Sequence, residues 1–135
     1  MKRVLLDTNA YVRYLQGDQD VLRMLSSAES VYMSIFVIGE LLTGFKGGAK
    51  EARNRNQLEE FFRKSTVKIL SATLDTAEFF SSIKNELRRK GAPIPINDVW
   101  IAAHTMETGS MLVTFDAHFR QVSGLLVWNI HKAST

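Results

Sequence analysis

The sequence predicts an α/β fold in which helices cover both faces of a parallel sheet. Three observations lead there. Short apolar runs such as Val4-Leu5-Leu6 and Met111-Leu112-Val113 recur along the chain. Segments with helical apolar spacing separate them. The runs do not alternate polar with apolar, as befits strands buried on both faces of a parallel sheet. At 135 residues, the chain is sized for one domain, residues 1–135, with one core.

Val4-Leu5-Leu6 is the first strand. Asn9 to Gln16 reads as a helix ending at Gly17. Asp18 caps a second helix, which places Val21, Leu22, Met24 and Leu25 on one face. Val31-Tyr32-Met33 is the second strand, and Ser34 is an N-cap for the helix "IFVIGELLTGF". The Gly-rich "KGGAK" interrupts the chain before the amphipathic helix "EARNRNQLEEFFRK". Val67 to Leu70 is the third strand. "TLDTAEFFSSIKNELRRK" is a long helix whose basic end complements the helix dipole. "GAPIPI" is a loop holding both prolines, and "NDVWIAAHTMET" is a helix closed by Gly109. Met111 to Val113 is the fourth strand, "DAHFRQV" a helical turn, and Leu125 to Trp128 the fifth strand; the last residues are expected to fray. There is no internal repeat, linker or low-complexity tract.

The composition narrows the class. Apolar residues are 45% and charged residues 23%, ordinary for a soluble globular domain. No apolar stretch is long enough to span a membrane. The opening "MKRVLLDTNAY" meets Asp7 too early for a signal peptide, so a cytoplasmic protein is expected. Without Cys there are no disulfides or thiolate metal sites. The net charge of +3 permits a nucleic-acid partner without requiring one.

Four acids stand apart from those in polar segments such as "GDQD". Asp7 follows the first strand and Asp116 the fourth, in the region where open parallel sheets place ligand crevices. Glu40 lies in a helix apolar nearly all round and is expected to meet little solvent. Asp98 shares a helical face with Ile101, Ala102 and Thr105, which points it inward. Singly, Asp7 and Asp116 have an alternative as helix caps, and Asp98 as a dipole partner. Together, four converging carboxylates would raise one another's pKa unless a cation lay between them. An all-oxygen set, with no Cys and no suitable His pair, favours Mg²⁺ or Mn²⁺ over Zn²⁺.

The segments "LLDTNAYV", "SIFVIGELLTGF", "INDVWIAAHT" and "LVTFDAHF" resemble, in order and spacing, the four acidic motifs of PIN-domain ribonucleases. The size, and the Gly near the Glu motif, look like the VapC toxins of toxin–antitoxin pairs. The resemblance covers nearly the whole chain. It implies an α/β/α sandwich with strand order 3-2-1-4-5, which sets the first and fourth strands side by side. It implies an acidic catalytic and metal site of Asp7, Glu40, Asp98 and Asp116, with Asn9 and Thr114 orienting carboxylates or water. It further implies Mg²⁺-dependent hydrolysis of RNA by a metal-activated water, 5′-phosphate and 3′-hydroxyl products, a homodimer and a cognate VapB-type antitoxin. Glu40 is either a ligand to a second ion or the base for the attacking water. One departure is Phe36-Val37-Ile38-Gly39, where the family often carries a Thr; no acidic position is lost.

Lys46, Lys50, Arg53 and Arg55, around the Gly-rich break, are candidates to bind RNA backbone or an antitoxin. Lys84, Arg88, Arg89 and Lys90 are expected to serve the helix end. His118, two residues after Asp116, has contact with phosphate as an alternative but is expected to be structural, and His104 and His131 carry no signal. Trp100, Phe61, Phe62, Phe79 and Phe80 read as core or subunit contacts. "FKGGAK" lacks the Gly-Lys-Ser/Thr ending of a P-loop.

Three rivals remain. A haloacid-dehalogenase-type phosphatase needs a second acid where this chain has Asn9. A receiver domain needs an acid pair at the first strand and a phosphoacceptor after the third, where this chain has Ser71. A PIN fold that binds RNA or a partner without cutting, or acts outside a toxin pair, is the third. All four acids are retained, which favours cleavage.

Overall fold

The first strand, β1 (Arg3–Leu6), lies at the centre of a five-stranded sheet in this computed structural model, which describes residues 3–129. The other strands are β2 (Ser30–Ser34), β3 (Val67–Leu70), β4 (Met111–Thr114) and β5 (Val127–Asn129). All neighbours pair in parallel, in the order β3-β2-β1-β4-β5. Parallel pairing needs a crossover between strands. Helices α1 (Thr8–Leu15) and α2 (Gln19–Ser26) link β1 to β2, and α3 (Ile35–Phe45) and α4 (Glu51–Phe62) link β2 to β3. Helices α5 (Leu74–Lys90) and α6 (Ile96–Glu107) carry the chain back to β4. The first crossovers step one way along the sheet and the later ones the other. Right-handed connections then place helices on both faces and reverse the order at β1 and β4.

The central strands are the most buried. Val4, Leu5 and Leu6 in β1 and Leu112, Val113 and Thr114 in β4 are all under 4% exposed. This is why those segments are continuously apolar up to Thr114. The β3 edge is protected differently: Lys68 is exposed and charged, which discourages pairing with another sheet.

Local chemistry sets the helix ends. Ser34 accepts the Phe36 amide at 3.1 Å and starts α3. Thr73 and Thr76 cap α5 reciprocally, and the Thr76 hydroxyl donates to Glu107 at 2.6 Å, tying the start of α5 to the end of α6. Gly91 closes α5 at φ +66°, a left-handed conformation that Gly adopts without a Cβ clash. Pro95 then precedes the first turn of α6 and sets Asp98 as its third residue.

Several boundaries shift by one or two residues from the sequence expectation: α1 runs from Thr8 to Leu15 instead of Asn9 to Gln16, α4 ends at Phe62 instead of Lys64, and the fifth strand is displaced as well. The fifth strand begins at Val127, not Leu125. The Leu125 amide closes a turn onto the Val122 carbonyl, and β4 is first met by the Leu126 carbonyl, which accepts the Leu112 amide at 2.8 Å. The expected fraying of the last residues, and His131, lie outside the described residues.

Candidate active site

The backbone delivers the acids from four segments. Asp7 ends β1, where its amide donates to the Val113 carbonyl of β4 at 3.2 Å. Its Oδ1 accepts the Ala10 amide at 2.8 Å, so Asp7 also caps α1. Glu40 comes from the middle of α3, and Asp98 from the first turn of α6. Asp116 follows β4 and precedes a 3-10 turn, Ala117–Gln121, which it does not cap with its side chain.

These segments meet in a crevice of about 360 Å³ lined by Asp7, Thr8, Asn9, Glu40, Pro95, Asp98, Ile101, Asp116 and His118. All four predicted acids and Asn9 are therefore brought together. Among the described residues, no Lys or Arg forms an ion pair with any of the four acids. Among the described residues, the basic group that meets these acids is the imidazole of His118, beside Asp98.

Thr114 supports the deepest acid. Its hydroxyl donates to Asp7 Oδ2 while accepting the Asp116 amide at 2.9 Å. One buried side chain thereby fixes two of the acidic positions. Asp7 is 4% exposed. Burial pushes its carboxyl up to about 6; hydrogen bonds from Thr114 and Ala10 oppose this, and the charges of Asp116 and Asp98 add to it. Burial also raises Asp98, against a hydrogen bond and charge from His118, with Glu40 and Asp116 raising it further. These directions are those of a site that resists full ionisation without a cation.

Glu40 corrects a sequence expectation. It is exposed, not shielded by an apolar helix. Ile35, Gly39, Glu40, Thr43 and Gly44 form an open stripe along α3, while Val37, Ile38 and Leu41 face the core. The glycines hide this stripe in the sequence because they count as neither polar nor large. Glu40 faces the crevice, and Thr8 donates its hydroxyl to Glu40 Oε1.

Two lining residues make contacts with the acids that the sequence does not announce. Thr8 sits inside "DTN", and its hydroxyl holds Glu40. His118, expected to be structural, has its Nε2 2.6 Å from Asp98 Oδ2 across the crevice. The signal for it is its place two residues after an acid at a strand end. Asp98, Asp116 and His118 bring one donor atom each within 4.8 Å of one another. The basic candidates lie elsewhere: Lys46, Lys50, Arg53 and Arg55 do not line the crevice. Arg55 pairs with Glu51 at 3.3 Å.

The other sequence candidates pack. Phe61 is 3% exposed against Tyr11 and Tyr14. Trp100 stacks between Phe36 and Phe80, with centroids 5.0 and 3.9 Å away. His104, 1% exposed, lies between Ser34 Oγ at 2.8 Å and the Ser71 carbonyl at 3.1 Å.

Known proteins are similar to this chain in sequence and architecture. The PIN domain family matches residues 4–125. The Ribonuclease VapC2 of Haemophilus influenzae is 32% identical, covering 84% of this chain and 86% of the relative. The tRNA(fMet)-specific endonuclease VapC of Salmonella typhimurium is 26% identical, covering 94% and 97% respectively. The structure of VapBC2 from Rickettsia felis bound to a DNA fragment from their promoter superposes with a TM-score of 0.83 at 25% identity, covering 94% of this chain and 98% of that one. The matched span contains all four acidic segments and the whole crevice, and on that ground the chain belongs to the PIN domain family.

Proposed function

We propose that this chain is a divalent-metal-dependent endoribonuclease and the toxin of a VapBC-type toxin–antitoxin pair. The observation that carries this reading is the convergence of Asp7, Glu40, Asp98 and Asp116 on one crevice with no Lys or Arg paired to any of them among the described residues.

The donor chemistry fits a divalent ion. The lining groups are carboxylates with one imidazole, the chain has no Cys, and burial raises the pKa of both Asp7 and Asp98. Asp7, Asp98 and Asp116 would hold Mg²⁺ or Mn²⁺. When bound, the ion supplies Lewis acidity to a phosphate oxygen and lowers the pKa of water toward neutrality. Thr114 holds Asp7 and the Asp116 backbone in register. Thr8 holds Glu40 through one oxygen. The other carboxylate oxygen, without a hydrogen-bond partner among the described residues, takes the proton of the attacking water. Asn9 lines the crevice beside them and orients that water. Attack by water, not by the RNA 2′-hydroxyl, leaves 5′-phosphate and 3′-hydroxyl ends.

The relatives' names support RNA as the substrate, and the Salmonella name makes tRNA the first class to test. The VapBC structure supports a cognate VapB-type antitoxin as partner. A homodimer in the cytoplasm, where RNA is available, completes the reading. No helix among the described residues is long and apolar enough to cross a membrane.

The test is to incubate the purified chain with total RNA and with tRNA, in Mg²⁺, Mn²⁺ or EDTA, and to map the new 5′ ends. Discrete metal-dependent cuts bearing 5′-phosphates are expected, with none from Asp7→Asn. RNA binding without cutting in either metal would replace this reading with that of a silent PIN module.

A further inference from the structure

We propose that His118 is a nitrogen ligand of the crevice ion and gives this site a preference for Mn²⁺ over Mg²⁺. The inference rests on the metal-nuclease reading above and extends it from a set of carboxylates to a mixed one.

The placement of His118 is built by the fold. Asp116 and His118 leave β4 on the same short turn. Phe119, fully buried, anchors that turn, with its ring centroid 4.9 Å from that of His118. Asp98 approaches from α6 on the opposite wall. His118 Nε2 and Asp98 Oδ2 are 2.6 Å apart, and the donor atoms of Asp98, Asp116 and His118 all lie within 4.8 Å of one another. Two ligands of one ion, each bonded at about 2.1–2.2 Å, are at most about 4.3 Å apart. Small side-chain rotations close the difference.

The chemistry of the donors sets the preference. Mg²⁺ demands oxygen ligands, holds its waters tightly and gains little from imidazole. First-row transition ions accept imidazole nitrogen together with carboxylate oxygen. Nε2 lies at hydrogen-bonding distance from Asp98 Oδ2. A nitrogen-accepting ion can take both partners of that hydrogen bond as ligands. Mg²⁺ draws chiefly on the carboxylates.

The experiment uses the full chain, with Mn²⁺ and Mg²⁺ as probes. Pulsed EPR of the Mn²⁺-loaded wild type should show coupling to a directly bound ¹⁴N nucleus. His118→Gln keeps an amide donor for Asp98 but offers no imidazole, and should remove that coupling. It should weaken Mn²⁺ binding by about 10-fold or more and Mg²⁺ binding by less than about 3-fold. His118→Ala, which removes the hydrogen bond as well, should weaken both ions. Bound Mn²⁺ without nitrogen coupling in the wild type would overturn the proposal and leave the nuclease reading intact; this measurement needs no variant. Equal loss of both ions in His118→Gln would also overturn it, reducing His118 to a hydrogen-bond partner of Asp98. If neither ion binds the wild type, the metal-nuclease reading itself fails and this proposal with it.

Discussion

Thr114 donates its hydroxyl hydrogen to Asp7 Oδ2 and accepts the Asp116 amide, so one side chain couples the ends of β1 and β4. Thr114→Val keeps the shape but leaves a buried carboxylate short of a donor and the Asp116 amide without its acceptor. Hydrogen bonds to charged groups are worth about 1.5–3 kcal/mol. The variant should lose roughly 2 kcal/mol of unfolding free energy at pH 8, and less at pH 5, where Asp7 is largely protonated. Thr114→Ser should recover most of the loss. Urea unfolding of the metal-free protein at both pH values checks this.

Asp7 itself should oppose folding when ionised and metal-free. Its carboxyl rises from the ordinary 3.8 to about 6 in the folded protein. The folded state therefore binds the proton more tightly than the unfolded chain does. Stability from this group is present below pH 3.8 and is lost as pH rises through 6, a change of about 3 kcal/mol at ~1.4 kcal/mol per pH unit. Asp7→Asn, which retains an acceptor for the Ala10 amide, should be the more stable protein at pH 8 without metal. It should also lose most of the thermal stabilisation that Mg²⁺ or Mn²⁺ gives the wild type. Equal stability at pH 8 would argue against the burial penalty on the Asp7 carboxylate, and undiminished stabilisation by metal against its place among the ligands.

His104 should act with the opposite slope. The Ser71 carbonyl can only accept, so Nε2 carries the hydrogen, and the neutral ring's Nδ1 accepts from Ser34. Burial lowers its pKa below 6.5, opposed by the Ser71 hydrogen bond and the charge of Glu107. The unfolded chain then takes up a proton that the folded one resists. Stability from this residue is present above pH 6.5 and is lost as pH falls through the folded pKa. NMR of the imidazole should find the Nε2–H tautomer and a midpoint below 6.5. His104→Leu, which leaves the Ser34 hydroxyl and the Ser71 carbonyl without this partner, should be less stable than wild type at pH 8. Its disadvantage should shrink at pH 5.

Much of this site is legible in the sequence because its elements obey local rules. Asp7 and Asp116 are marked by apolar strands ending abruptly on acids. Asp98 is marked by Ile101, Ala102 and Thr105, all at most 1% exposed. The caps at Ser34 and Asp18 are legible as side chains that accept a nearby amide, whereas Thr73, expected as the first residue of its helix, proves to be its cap. What is not legible depends on distance in the chain. Nothing local says that His118 meets Asp98, twenty positions away, or that Thr8 meets Glu40, because the approach of α3 and α6 to the sheet sets both meetings. The exposure of Glu40 is hidden for a local reason: with Ile35, Gly39 and Gly44 on it, the open stripe of α3 has only Thr43 as a polar marker beside Glu40.

The basic residues beside α3 give the last test. Glu51 accepts the Gly47 amide at 3.1 Å and pairs with Arg55 at 3.3 Å, which engages one of the four candidate charges within the protein. Lys46, at the end of α3, and Lys50 and Arg53, at the start of α4, are exposed and make no ion pair among the described residues. Lys46 is six residues beyond Glu40, or about 9 Å along a helix at 1.5 Å per residue. That is within reach of a strand of RNA passing through the crevice. Each RNA phosphate deprived of its lysine should make the dependence of log K on log salt shallower by about 0.7, the value for a single strand. Lys46→Ala with Lys50→Ala should therefore reduce the slope by about 1.4, and Arg55→Ala alone should change it little. Binding of a non-cleavable RNA to an Asp7→Asn background, titrated with KCl, measures this directly. An unchanged slope in the double variant would move the RNA path away from this connection and leave those lysines to a protein partner.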